Sequence, residues 1–139
     1  MLFRSDARAA AQHYREALDL DPQNPLASNN LAMSLLKLDE SPQEALQLSG
    51  TALQAHPDNP GLLSTYACVL VEMQDYERAR PLLLRALKSF PNDPWTRFSF
   101  GKLLIATGAE RLGREHLQGC LVLDPRFPRR QEKIGRAHV

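Results

Sequence analysis

The chain has 139 residues, 43% of them hydrophobic and 24% charged, with a formal net charge of +1. These proportions are those of an ordinary soluble globular protein, and the near-neutral balance offers nothing electrostatic to recruit nucleic acid. No apolar run approaches the ~20 residues of a membrane-spanning helix.

The predicted elements are all helical. Over residues 6–20, Ala10, Tyr14 and Ala17 recur at spacings that keep them on one helix face, and Pro22 stops the helix because proline cannot donate the next backbone bond. Residues 25–38 carry Leu31, Ala32 and Leu35 on one face. The helix over 42–55 opens with Ser41-Pro42-Gln43-Glu44, a capping box with proline at its first helical position. It carries Ala45, Ser49 and Ala52 and ends before Pro57. Residues 60–73 start at Pro60 and carry Leu63, Tyr66, Ala67 and Leu70. The helix over 76–89 has Asp75 as N-cap, with Ala79, Leu83 and Ala86 ahead of Pro91. Pro81 inside it removes the bond to the Glu77 carbonyl, so a slight bend is expected there. Residues 94–107 start at Pro94 and carry Phe100, Gly101 and Leu104. The last helix, 110–122, carries Gly113, Leu117 and Cys120 ahead of Pro125. No segment alternates polar and apolar residues cleanly, so no strand is predicted.

These elements repeat. Pro22, Pro57, Pro91 and Pro125 stand 35, 34 and 34 residues apart. The same small-and-large ladder precedes each: Ala10, Tyr14 and Ala17; Ala45, Ser49 and Ala52; Ala79, Leu83 and Ala86; Gly113, Leu117 and Cys120. A fixed period of this kind marks a repeat array. With the paired Leu31-Ala32, Tyr66-Ala67 and Phe100-Gly101 of the intervening helices, the pattern resembles the tetratricopeptide repeat family over nearly the whole chain. Ser28, Ser49 and Arg97 depart from it, standing where a large apolar residue is usual, and Ser49 is expected to loosen the second unit. The resemblance implies an all-α fold: a right-handed α-solenoid of antiparallel helix pairs, three full repeats plus a leading half repeat. The repeats divide as 1–24 (the half unit), 25–59, 60–93 and 94–127.

The ends are expected to belong to a longer, bacterial repeat protein, cytoplasmic or periplasmic. Residues 128–133 start a further helix or linker, and Arg126, Arg129 and Arg130 read as a solvated cluster. Residues 134–139, Ile-Gly-Arg-Ala-His-Val, spell the translation of a common sequencing adapter and are set aside from fold reasoning. The helix at 110–122 is expected to expose Leu117 and Leu121, and end-to-end self-association of the fragment follows.

Chemistry-bearing residues are sparse. No His-Glu-x-x-His, Cys-x-x-Cys or glycine-rich phosphate loop occurs. His13 and His116 share one repeat position and are expected on the surface. Cys68 and Cys120 fall on different surfaces of the repeat, so no disulfide between them is expected. No catalytic residue, cofactor or metal site is predicted.

What remains is surface. In the resembled family the first helix of each unit lines a concave peptide-binding groove. Its positions carry over here to Asn29, Asn30, Met33 and Lys37, to Ser64, Thr65, Cys68 and Val71, and to Trp95, Phe98 and Lys102. Asn29 and Asn30 are expected to hold a peptide backbone, with Met33, Val71, Trp95 and Phe98 accepting apolar side chains. Trp95 and Phe98 divide between two readings, groove platform or core. The Lys and Arg clamp with which some relatives hold acidic chaperone tails is missing: its positions hold Asn29, Ser64, Phe98, Gly61, Thr65, Trp95 and Ser99. The expected partner is therefore a protein or peptide segment, bound by a non-catalytic scaffold. Two alternatives stand beside it: the recognition arm of a glycosyltransferase or sulfotransferase, and a component of bacterial envelope polysaccharide or protein export.

Overall fold

A computed structural model describes residues 2–123, without the side chains of residues 2–4, 121 and 123. The Asp124-Pro125 step, the arginine cluster and the adapter-like tail lie outside the described residues, as does the side chain of Leu121. The elements are α1 (Leu2–Leu20), α2 (Pro25–Leu38), α3 (Pro42–Ala55), α4 (Pro60–Glu72), α5 (Tyr76–Ser89), α6 (Pro94–Ala106) and α7 (Glu110–Leu123). Each packs on its neighbours in sequence, while α2, α4 and α6 also touch one another in succession along one side. The result is an all-helical repeat solenoid of three pairs, α2/α3, α4/α5 and α6/α7, led by α1.

Local chemistry sets the helix starts. Asn24, Asn59 and Asp93 each precede a proline at the first helical position, and each side chain accepts backbone N–H bonds from the first turn. Asn59 takes two, from Gly61 at 2.9 Å and Leu62 at 3.1 Å. These caps satisfy donors that no helix can satisfy internally. Asp75 caps α5 as predicted, accepting from the Arg78 amide at 3.3 Å. The capping box at Ser41 does not form. Ser41 has a left-handed backbone, φ 46° and ψ 56°, and makes no side-chain cap bond. Glu44 reaches instead to Arg15 on α1, with two bonds of 2.7 and 3.0 Å. A bidentate guanidinium is the stronger partner for that carboxylate. Helix α5 runs unbroken through Pro81, which lies exposed on its outer face.

The ladder is the core. Ala45, Ser49 and Ala52 are 1%, 0% and 1% exposed, and Ala79, Leu83 and Ala86 are all 0%. Ser49 is accommodated without an orphan, its hydroxyl donating to the Ala45 carbonyl at 2.7 Å. The closest crossing is in the last pair. A Cβ built on Gly101 would lie 2.8 Å from the Gly113 carbonyl oxygen, and one on Gly113 would lie 2.6 Å from that of Gly101. Only two glycines allow α6 and α7 to approach this far. Leu117, expected on the surface, is 2% exposed: α6 covers it, with Gly101 against its side chain. Arg97 lays its guanidinium over Gly119, where a Cβ would stand 2.9 Å from Nη2.

Candidate functional site

Seven of the eleven predicted groove residues fall into two groups that share Met33. The first lines a cleft of about 230 Å³ on the side where α2, α4 and α6 meet, bounded by Met33, Ser64, Thr65, Cys68 and Trp95 with Gly61, Phe90 and Asp93. The second, Asn30, Met33 and Lys37, faces an open groove beside α1.

Within the cleft the polar groups are ordered by the α6 cap. The Asp93 carboxylate accepts from the Thr96 amide at 2.9 Å and from the Thr96 hydroxyl at 2.8 Å. The two hydroxyls of Thr96 and Ser64 stand 2.7 Å apart. Thr65 donates to the Gly61 carbonyl at 3.2 Å. The Cys68 thiol points to the Trp95 carbonyl at 3.6 Å, and burial pushes its pKa up to about 12. A thiol held that far above neutrality is no nucleophile. Cys120 is likewise free, buried and pushed up to about 12 by burial.

Several predicted residues lie deeper than their repeat positions imply. Val71 is 1% exposed and Phe98 2%, so neither presents surface to a ligand in this conformation. Trp95, 7% exposed, packs edge-on against Phe98 with ring centroids 5.9 Å apart. The aromatic pair thus belongs mainly to the core, and only Trp95 borders the cleft. Lys102 pairs with Glu72 at 2.8 Å across α6 and α4 and stands 5.6 Å from the centre of the Phe98 ring. That pair is mostly buried and closes the surface over Phe98. Asn29 is half-buried, and its Oδ1 is sealed from solvent without a hydrogen-bond partner among the described residues. That oxygen is not the open acceptor expected of it. His116, expected on the surface, is half-buried edge-on against Phe100, ring centroids 5.1 Å apart. Burial, then the Arg97 charge, holds its pKa below the ordinary imidazole value. His13 is exposed.

Sequence reasoning missed Phe90 and Asp93. The signal for Phe90 was present: it precedes a repeat proline where the other units place Asp21, His56 and Asp124. Phe90 is 39% exposed and lines the cleft. Among the described residues no group of three or more His, Cys, Asp or Glu side chains could hold a metal ion, and no helix is long and apolar enough to cross a membrane.

Comparison with known proteins agrees with the fold. The chain is 33% identical over 82 residues to cellulose synthase operon protein C of Pseudomonas fluorescens (strain SBW25); the match takes in 59% of this chain and 6% of that protein's length. Among solved structures, MamA 41-end from Desulfovibrio magneticus RS-1 superposes with a TM-score of 0.63 at 20% identity, over 99% of this chain and 77% of its own. TTC0263, a thermophilic TPR protein in Thermus thermophilus, gives 0.68 at 21% identity, over 95% and 73%. YrrB, described as a TPR protein with an unusual peptide-binding site, gives 0.59 at 25% identity, over 96% and 69%. Two family models, both of the tetratricopeptide repeat, match residues 2–60 and 39–95. With its proline period, paired helices and solenoid stack, the chain belongs to the tetratricopeptide repeat family.

Proposed function

We propose that this chain is a non-catalytic protein-interaction module that holds one segment of a partner protein in the cleft between α2, α4 and α6. The observation that carries this reading is the cleft itself, lined by the apolar Met33, Phe90 and Trp95 together with Ser64, Thr65 and Asp93. A partner segment fits it by inserting one apolar side chain against Phe90 and Met33. A backbone N–H or a basic side chain beside it would meet Asp93, whose second oxygen has no part in the Thr96 bonds. The inner surface carries few charges, and Lys102 is already matched by Glu72, so binding should depend only modestly on salt.

The test selects ligands from a displayed random-peptide library and measures them against variants, following Trp95 fluorescence as the local reporter. Phe90→Ala and Met33→Ala should each weaken selected peptides about tenfold or more, as expected of an anchor contact. Phe90 is exposed, so its variant should melt like the parent, whereas Met33 also packs against the core and its variant is compared at a temperature where it is folded. Selected peptides that bind both variants as tightly as the parent would place the interaction elsewhere.

The relationship to cellulose synthase operon protein C favours a second, narrower reading, in which the module serves a bacterial polysaccharide synthesis or export assembly. Sequencing outward from this gene tests it. A cellulose synthase-type glycosyltransferase in the same operon is expected, and a neighbourhood without polysaccharide genes would remove the reading.

A further inference from the structure

The outer helices α1, α3, α5 and α7 meet at seams that repeat as the core does, and the last seam differs from the others. Arg15 of α1 and Glu44 of α3 pair across the first seam at 2.7 Å. Arg15 stands seven residues before its repeat proline and Glu44 thirteen before the next. The same two places hold Gly50 and Arg78 at the α3/α5 seam, and Leu84 and Leu112 at the α5/α7 seam. At the second seam Arg78 donates to the Tyr66 hydroxyl and lies 5.8 Å from the centre of that ring, while a Cβ built on Gly50 would stand 3.3 Å from the same ring. The first two seams are thus closed by an ion pair and by an arginine on an aromatic ring. The third holds two leucines, 47% and 48% exposed.

Flanking repeats do not hide these positions. Glu44 and Arg78, which take the place of Leu112 in earlier repeats, keep side chains 38% and 59% exposed with the following helices in place. Scattered exposed leucines are common, but two brought to one seam make a patch. Its surround is cationic. Arg80, Arg85 and Lys88 stand one turn before, beside and one turn after Leu84, with Pro81 exposed among them. Helix α5 carries Arg78, Arg80, Arg85 and Lys88 against Glu77 alone. Arg85 and Lys88 have no carboxylate in ion-pair range among the described residues. On α7, Arg111 and Arg114 are matched by Glu115 and Glu110, so the excess at the seam is positive.

We infer that the α5/α7 seam docks a short acidic helix of a partner protein. Apolar side chains at three- or four-residue spacing meet Leu84 and Leu112, and Asp or Glu beside them meets Arg85 and Lys88. Charge complementarity selects this occupant. Two copies of this chain set seam to seam would oppose their cations. The patch shares no residue with the cleft between α2, α4 and α6, so either site can fail without the other.

The experiment displays a library of helical peptides with leucine at every third or fourth position and Ala, Gln, Glu and Lys mixed elsewhere. The library is depleted on the Leu84→Glu/Leu112→Glu double variant, then selected on the full chain. Enriched clones should carry more Glu than Lys beside their leucines. Labelled with fluorescein and titrated by anisotropy, they should bind Leu84→Glu and Arg85→Glu/Lys88→Glu about tenfold or more weakly than the parent. Phe90→Ala should leave them unchanged. Their affinity should fall clearly as salt is raised, unlike that of cleft ligands. The substituted side chains are all exposed, so the variants should melt like the parent.

The absence of enriched clones, clones without an excess of Glu, or clones that bind Leu84→Glu as tightly as the parent would each overturn the proposal. Co-sedimentation with vesicles of phosphatidylcholine and phosphatidylserine, abolished in Leu84→Glu, would assign the patch to an anionic lipid surface and overturn a protein partner. A dimer of the chain lost in the same variant would make a second copy the occupant, again overturning it.

Discussion

At the scale of single residues, packing and protonation decide what each position does. Gly101 and Gly113 bring two backbones closer than any Cβ allows, so Gly101→Ala must push α6 and α7 apart. The expected cost is about 1–3 kcal/mol, typical of overpacking, and chemical denaturation measures it. Ala32 and Ala67 stand at the same repeat position in the other pairs, buried to 0% with a methyl in place, so the strain is particular to the last pair. His116 supplies a pH dependence. Its Nδ1 is buried with no hydrogen-bond partner among the described residues, and burial favours the neutral ring. The folded-state pKa lies below the ordinary 6.5, so the unfolded chain takes the proton first as pH falls. This contribution to stability is full above about pH 7 and declines as the solution is acidified toward the folded-state value. His116→Phe keeps the contact with Phe100 and should flatten that slope; an unchanged slope would assign it to carboxylates such as Glu44, whose pKa Arg15 holds down. Repeat positions named the side of the helix for Val71 and Phe98 but not their depth. For Phe98 the cover is the Trp95 ring three residues away on the same helix and the Lys102–Glu72 pair, whose partners stand 30 residues apart in the sequence.

At the scale of elements, nearly everything was legible. Seven helices were expected and seven stand among the described residues, α2, α3 and α5 with the predicted boundaries. They were readable because most helices carry local signals: a proline at the first position of α2, α3, α4 and α6, the Asp75 cap of α5, and a proline shortly beyond the ends of α1, α3 and α5. The local rule failed once, at Ser41, where Glu44 abandons the capping box for an arginine 29 residues away. Sequence patterns of three or four residues cannot report a competitor on another helix. The caps that did form are quantitatively testable. Asn59 satisfies two donors at the head of α4, the central helix of the stack. Asn59→Ala should cost about 1 kcal/mol, and Asn59→Asp should retain most of it. An equal loss in both would assign the effect to the loop rather than to the cap.

For the whole molecule, the pattern of contacts predicts how stability is distributed. Packing runs between neighbours, so each helix is held by the pairs it touches and the stack has no single centre. Helix α4 is gripped on several sides, with nine of its thirteen residues buried. Helix α1 has its ladder face half open. Native-state hydrogen exchange should therefore find the α1 amides opening well before those of α4, at lower denaturant; equal protection in both would show one cooperative unit. The separation of the predicted residues between the α2/α4/α6 cleft and the groove beside α1 was beyond the reach of the sequence for the same reason. Periodicity assigns equal roles to equal positions, whereas Met33, Cys68 and Lys102, one position in three successive repeats, meet three different neighbourhoods. The contact of α2, α4 and α6 along one side has a further mechanical consequence. Chains of parts joined only to their neighbours bend like a coil spring, and bending such a coil opens or shuts the gaps along its inner edge. A segment wedged between α2, α4 and α6 would set the pitch of the coil, and tension along the coil would loosen its hold on that segment.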